Sequence, residues 1–286
     1  MLKHIFLIFL ICFVAVVILS FKFYEKRIYP NYISKVCLIT GASSGVGREI
    51  AKEMVARGWK VIGIARRLEL LNELKKELGE NNFIPYICDV ADKMSVQKVS
   101  NDIKAKGLKP TLFFLNAGVG ELEKTFEFNS DIHKKTFDIN YFGVINWVEQ
   151  WLNNVKEYGG GIFIATSSVA SILGVPHTAA YATSKAALNS CFNSLRLEYL
   201  NLNIGFSLII LGPVDTDMLK GDGAKNMPFI QTPKKAAEYI VKKVFKGKKQ
   251  IHNYWFYSSF LTVLSWFPDQ LVLKILGTDK REDNKN

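Results

Sequence analysis

Two hydrophobic rhythms alternate along the chain from residue 35 onward. Short apolar runs of strand length fall at Val36–Ile39, Lys60–Ile64, Phe83–Cys88, Leu112–Leu115, Ile162–Thr166 and Ile204–Ile210. Between them, apolar residues recur every three or four positions over Gly45–Arg57, Leu68–Leu78, Asp92–Lys106, Asp131–Tyr158 and Ala179–Tyr199. The first rhythm predicts strands, and the second predicts amphipathic helices. Strands that alternate with helices predict an α/β domain with a parallel sheet covered on both faces. Right-handed crossovers make that sheet doubly wound.

Both ends of the chain break this rhythm. From Ile5 to Leu19 no residue is charged, and Phe21, Phe23 and Tyr24 carry the apolar run past Lys22. The stretch is long enough to cross a bilayer if Lys22 snorkels, so residues 1–24 read as a transmembrane anchor. No small-x-small cleavage pattern follows Ser20, which favours a retained anchor over a signal peptide. Residues 25–34, with Tyr29-Pro30-Asn31-Tyr32, read as a linker into a catalytic domain over 35–252. Lys3 precedes the span, whereas Lys22, Lys26, Arg27 and Lys35 follow it. The positive-inside rule therefore puts the domain on the cytoplasmic side of a single-pass membrane protein. Residues 253–286 form a second exception. Tyr254–Pro268 is aromatic and uncharged, Leu271–Leu276 is apolar, and Pro268 with Asp269 interrupts the run. Such a segment reads as an amphipathic extension beside a basic helix (Lys234, Lys235, Lys242, Lys243), suited to a membrane interface.

Composition narrows the class. Of 286 residues 49% are hydrophobic and the net charge is +11, which describes a globular chain and not a disordered one. The four cysteines (Cys12, Cys37, Cys88, Cys191) have no CxxC spacing, and His4, His133, His177 and His252 are scattered. No metal is expected, and reduced thiols are. The positive charge comes without a recognition motif, so nucleic acid is not an expected partner.

The chemistry concentrates at Tyr181-Ala-Thr-Ser-Lys185. Residues four apart share a helix face, and an ammonium beside a phenol favours the phenolate. Near the start, Thr40-Gly41-Ala-Ser43-Ser44-Gly45-Val46-Gly47 follows the first strand and opens a helix. Glycines there let backbone approach a pyrophosphate, and the helix N-terminus supplies free N–H groups. After the second strand come Arg66 and Arg67, with no acid before Glu69. A guanidinium suits a phosphate dianion, so Arg66 points to NADP, with NADPH preferred over NADH, while Arg67 reads as a solvated helix start.

From Lys35 to about Ile251 the sequence resembles the short-chain dehydrogenase/reductase family. The matching residues are Thr40-Gly41-x-x-x-Gly45-x-Gly47, Asp89-Val90, Asn116-Ala117-Gly118, Asn140, Ser168, Tyr181-x-x-x-Lys185 and Gly212-Pro213-Val214-Asp215-Thr216. The resemblance implies a Rossmann-like single domain and an NAD(P)-dependent oxidoreductase acting on a CH–OH group. It implies that Tyr181 is the acid/base, Lys185 lowers its pKa and bonds the nicotinamide ribose, and Ser168 stabilises the substrate oxygen. Asn140 would hold a water that reprotonates Tyr181. Cofactor contacts would come from Gly41, Ser43, Ser44, Gly45, Val46, Gly47, Arg66, Asp89, Val90, Asn116, Ala117, Gly118, Tyr181, Lys185, Pro213, Val214 and Thr216. A loop over Leu219–Thr232 would cover the substrate, and a homodimer through the fourth and fifth helices is possible in this family. Gly212-Pro213 inverts the order more usual there. With the anchor, this gives a membrane enzyme of a hydrophobic, lipid-like carbonyl or alcohol. Two alternatives stand beside it: a steroid or retinoid dehydrogenase, and a non-catalytic nucleotide-binding scaffold at the membrane.

Overall fold

The structure, a computed structural model, describes residues 33–121, 128–219 and 230–276. Its strands are β1 (Val36–Thr40), β2 (Lys60–Ala65), β3 (Phe83–Ile87), β4 (Leu112–Leu115), β5 (Gly161–Ser168), β6 (Ile204–Leu211) and β7 (Gln250–His252). Its helices are α1 (Gly45–Ala56), α2 (Leu68–Leu78), α3 (Lys93–Ala105), α4 (Ser130–Phe137), α5 (Gly143–Glu157), α6 (Ala179–Glu198), α7 (Pro233–Val244), α8 (Trp255–Leu264) and α9 (Asp269–Leu276). The sheet is parallel, in the order β3-β2-β1-β4-β5-β6-β7. This is the doubly wound Rossmann-like fold. Strand order reverses between β1 and β4, and a crevice opens at the carboxyl ends of the strands there.

Strands covered on both faces must be apolar on both, and β4 (Leu-Phe-Phe-Leu) is buried throughout. Its alternation feeds two cores. Phe113 joins one face with Trp147, Trp151, Phe163 and Phe206. Phe114 joins the other with Ile39, Ile50, Met54 and Ile209. Phe113 stacks on Phe163 at 4.6 Å between ring centroids, and Phe163 on Phe206 at 5.3 Å. The register pairs Thr40 with Leu115 and Leu115 with Ala165, so β1 and β4 end together and β5 runs three residues further, to Ser168. The loops after β1 and β4 are thereby brought to one place.

Three features differ from the expected pattern. The stretch 131–158 is not one helix: a π-helical turn, Asp138–Phe142, separates α4 from α5. Its periodicity is apolar enough on both sides to read continuously, which hides the extra residue. β7 has only three residues, too short for a periodic signal, and pairs with β6 through Ile209↔Ile251. The C-terminal aromatic run folds as two short helices that meet at Pro268. The basic helix is α7, begun by Thr232, whose hydroxyl accepts from the Lys235 amide, and Pro233 in its first turn. It buries Ala236, Ala237, Ile240, Val241 and Val244 on the sheet face that α1 also covers. The anchor (1–24), most of the linker, residues 220–229 of the covering loop and the tail after 276 lie outside the described residues. Among the described residues no helix is long and apolar enough to cross a membrane.

Candidate active site

The floor of the crevice is backbone. Gly41 (φ +70°) and Gly45 (φ +55°) sit in the left-handed region where a side chain is strained. A Cβ on Gly47 would run into the Gly41 carbonyl oxygen and stand 2.7 Å from Asn116 Nδ2. A Cβ on Gly41 would meet Ala117 Cα at 3.1 Å. The turn after β1 is therefore stacked on Asn116-Ala117-Gly118 after β4. The Ala117 amide donates to Thr40 Oγ1 at 3.0 Å, and the Thr166 hydroxyl donates to Asn116 Oδ1 at 3.1 Å. Together these bonds lock the ends of β1, β4 and β5. α1 opens on this floor with no side-chain cap at Ser44, so its N-terminal dipole faces the crevice.

The arginines are arranged otherwise than expected. Arg67, not Arg66, reaches the turn: its Nη2 donates to Ser44 Oγ at 2.6 Å and to Ser43 Oγ at 3.1 Å. Arg66 points along the sheet edge, with Nη1 3.6 Å from Asp89 Oδ2, and stays 64% exposed. Arg67 begins α2 with an extended backbone (φ −93°, ψ 95°). Successive extended residues point to opposite sides, so one arginine takes the turn and its neighbour takes Asp89. Ser43 and Ser44 thus serve as acceptors for Arg67. Asp89 caps its own loop by accepting from the Ala91 amide at 3.0 Å. Val90 packs against Gly143, and its carbonyl accepts from Asn146 Nδ2 at 3.0 Å.

Ser168 ends β5, and Tyr181 and Lys185 lie in the first two turns of α6. The Ser168 hydroxyl hydrogen-bonds the Tyr181 phenol and also accepts from the Ala170 amide at 3.2 Å. Lys185 is 3% exposed, and its ammonium donates to the Thr166 carbonyl at 2.7 Å. The same Nζ lies 5.8 Å from the Tyr181 ring centroid. A Cβ on Gly118 would sit 3.4 Å from it and 3.0 Å from Asn140 Oδ1, so the bare backbone of Gly118 packs directly on both polar groups. Asn140 is fully buried in the π-turn. Its Oδ1 accepts from the Val119 amide at 2.8 Å, and its Nδ2 donates to the Val119 carbonyl at 3.0 Å and to Ser184 Oγ at 3.1 Å. Ser184 in turn donates to the Tyr181 carbonyl at 2.7 Å. The Asn140 side chain is thereby a brace between the β4 loop and α6.

The pKa shifts also differ from the expected pairing. Burial pushes the Tyr181 phenol up, and only the Ser168 hydrogen bond opposes it. Burial pulls Lys185 down to about 8. In the free protein the pair is thus a protonated phenol beside an easily deprotonated amine. A protonated phenol is what a proton donor requires.

On the far rim, Pro213 and Val214 are held by Gln231. The Gln231 amide donates to the Pro213 carbonyl at 3.1 Å, and the Asp215 amide donates to the Gln231 carbonyl at 2.9 Å. Thr216 faces the turn, its methyl 3.1 Å from a Cβ built on Gly45. The inverted Gly212-Pro213 order has a local cause: a Cβ on Gly212 would lie 2.9 Å from Tyr254 Cδ2, and the Gly212 amide donates to Asn253 Oδ1 at 2.7 Å. Met218 approaches from this side, its Sδ 3.4 Å from a Cβ on Gly120, where Tyr181 Cδ2 lies at 3.8 Å. Sequence reasoning read Arg67 as a solvated helix start and gave Ser184, Thr166 and Met218 no role. Of these, Arg67 carried a signal in the Arg-Arg pair, and the others had none.

The short chain dehydrogenase profile matches residues 35–226. The chain belongs to the short-chain dehydrogenase family. Its relatives include the fatty acyl-CoA reductase of Acinetobacter baylyi, 31% identical over 79% of this chain and 78% of that one. The hydroxysteroid 11-beta-dehydrogenase 1-like protein A of Xenopus laevis is 30% identical over 90% and 91%. Among solved structures, a short-chain dehydrogenase from Streptomyces avermitilis superposes with a TM-score of 0.74, at 23% identity, over 88% of this chain and 98% of that one. A serine dehydrogenase complexed with NADP+ superposes with a TM-score of 0.70, at 24% identity, over 76% and 93%. As a member of that family the short-chain dehydrogenase described here is an oxidoreductase.

Proposed function

We propose that this short-chain dehydrogenase is an NADP-dependent oxidoreductase that interconverts a carbonyl and an alcohol on a hydrophobic, lipid-like substrate. The observation that carries this reading is the cluster of Ser168, Tyr181 and Lys185 beside a glycine floor with no room for a side chain at Gly47. That floor, the α1 N-terminus and the Arg67 guanidinium fit the pyrophosphate and 2′-phosphate of a dinucleotide. Asp89 and Val90 fit the adenine side, and Asn116, Ala117 and Gly118 the middle. When bound, the nicotinamide supplies or accepts the hydride.

The protein's own part is proton transfer and charge stabilisation. Ser168 donates a hydrogen bond to the substrate oxygen and steadies the negative charge that develops there. Tyr181 gives its proton to the same oxygen. Lys185 lies close enough for its charge to ease departure of that proton. Held by the Thr166 carbonyl and lying beside Gly118, its ammonium also suits a ribose hydroxyl.

The fatty acyl-CoA reductase relative supports a lipid-like substrate. The hydroxysteroid dehydrogenase-like relative supports a second reading, a steroid or other ring ketone. A purely binding role is disfavoured, because Ser168 is bonded to Tyr181 and the Lys185 ammonium stands 5.8 Å from the Tyr181 ring. Residues 1–24 would hold the domain at a membrane from the cytoplasmic side. Incubating the full chain with a lipid extract and NADPH, then following products by mass spectrometry, tests the reading. Ketones converted to alcohols at matched NADPH consumption are expected. An extract left unchanged, alongside unchanged steroid and retinoid panels, would sink it.

A further inference from the structure

The C-terminal pair α8–α9 is not folded as an ordinary covering layer. Only Ser258, Leu261 and Leu264 of α8 and Val272 of α9 are buried against the domain. The opposite face presents Trp255 at 70% exposure, Phe260 at 46%, Val263 at 48%, Trp266 at 78% and Ile275 at 48%. Scattered single apolar residues are normal on a surface, but a contiguous aromatic face marks an interaction site.

The chemistry around that face selects its partner. α8 (Trp255–Leu264) holds no charged residue, and an exposed Asp269 begins α9. Lys274 lies exposed on α9. Exposed tryptophans in and just after an uncharged helix match the headgroup layer of a bilayer, where aromatic rings with an apolar body gather, and Lys274 suits an anionic headgroup.

The placement is also specific. A cleft of about 230 Å³ opens between Phe267, Val272 and Leu276 on this side and Leu173 and Pro176 on the other. Leu173–His177 is the loop that joins Ser168 to the helix bearing Tyr181. We infer that the outer face of α8–α9 rests in the interfacial layer of a bilayer containing anionic lipid, with the cleft beside it turned toward the acyl region. The delivery of substrate through that cleft rests on the oxidoreductase reading above; the contact with lipid does not.

The five tryptophans make the contact measurable in the full chain. Trp59, Trp147 and Trp151 are 5%, 0% and 0% exposed in the core, whereas Trp255 and Trp266 stand on the proposed face. The full chain is reconstituted in vesicles of equal phosphatidylcholine and phosphatidylserine, with acyl chains brominated near the headgroup. Quenching of tryptophan fluorescence is expected, and it should disappear in Trp255→Phe/Trp266→Phe, which keeps the apolar face but removes the reporters. No quenching in the wild type would overturn the contact and leave the face to a second copy or to another segment of the chain. Quenching that survives in the Phe pair would overturn it too, since it would come from elsewhere. A second arm compares a long-chain ketone held in those vesicles with a short soluble ketone. Trp255→Ser/Phe256→Ser/Trp266→Ser, checked for retained NADPH binding, should lose about tenfold on the first and nothing on the second. Parallel losses would overturn delivery, and absence of turnover on both ketones by wild type would fault the oxidoreductase reading while the quenching result stands.

Discussion

At the nucleotide end of the sheet, the backbone of the Gly41–Gly47 turn lies against the β4 loop so closely that no methyl group fits on Gly47. At the other end, beyond β7, Trp266 has 78% of its surface open. The two regions flank one crevice, yet one is specified by steric exclusion and the other by surface chemistry. A dinucleotide has a fixed shape, and a rigid floor of bonded strand ends can match it once. A lipid or ring ketone has a long apolar part that needs area and access more than a mould.

Substitutions can break or sharpen this contrast. The largest effect is expected between the two regions, where Tyr181→Phe should lower turnover by about 10²–10⁴-fold while NADPH affinity stays the same. Near wild-type turnover in stopped assays would remove Tyr181 from the chemistry. The next concerns Lys185, whose pKa burial lowers from 10.5 to about 8. The unfolded chain then binds more protons between those values, so stability rises with pH across that window and the penalty is full below it. Relative to Lys185→Met, the wild type should gain up to about 3 kcal/mol between pH 8 and 10.5, read from denaturant midpoints. Parallel curves for the two proteins would contradict the buried ammonium.

Gly47→Ala should cost about 1–3 kcal/mol of stability through overpacking, together with most NADPH binding. Unchanged melting and titration would mean that the floor can give way. Arg67→Ala should weaken NADPH about tenfold and NADH hardly at all, with Arg66→Ala the milder of the two. The reverse ranking in isothermal titration would restore Arg66 as the phosphate ligand. Smallest of all, Trp266→Ser should change stability by less than about 0.5 kcal/mol, as exposed positions do. A large loss would show the C-terminal face to be core.

How much of this was legible in the sequence follows the same division. Parallel strands buried on both faces leave continuous apolar runs, so β1 to β6 were readable, and Gly47 could be singled out because only a tight backbone approach calls for a third glycine. Which arginine reaches the turn was not readable, since that depends on the direction of one side chain at the start of α2. Asn140 was read as a helix residue of the site, but its burial and its bonds to Val119 and Ser184 were not readable, because they join segments far apart in sequence. The sign of the Tyr181 shift was also hidden, because spacing reports a neighbour's charge and says nothing of burial.

The π-turn at Asp138–Phe142 gives the long helix a phase that length alone does not show. Each helical residue advances the side-chain direction by about 100°, so removing one residue there would restore even winding and turn everything downstream against everything upstream. Trp151 is fixed in the core by Phe113 and Ser100, so the turn would be taken by the other end, and Asn140 would swing away from Val119 and Ser184. Length changes are absorbed elsewhere by exposed loops. In this segment a single-residue deletion is instead a rotation of the active site.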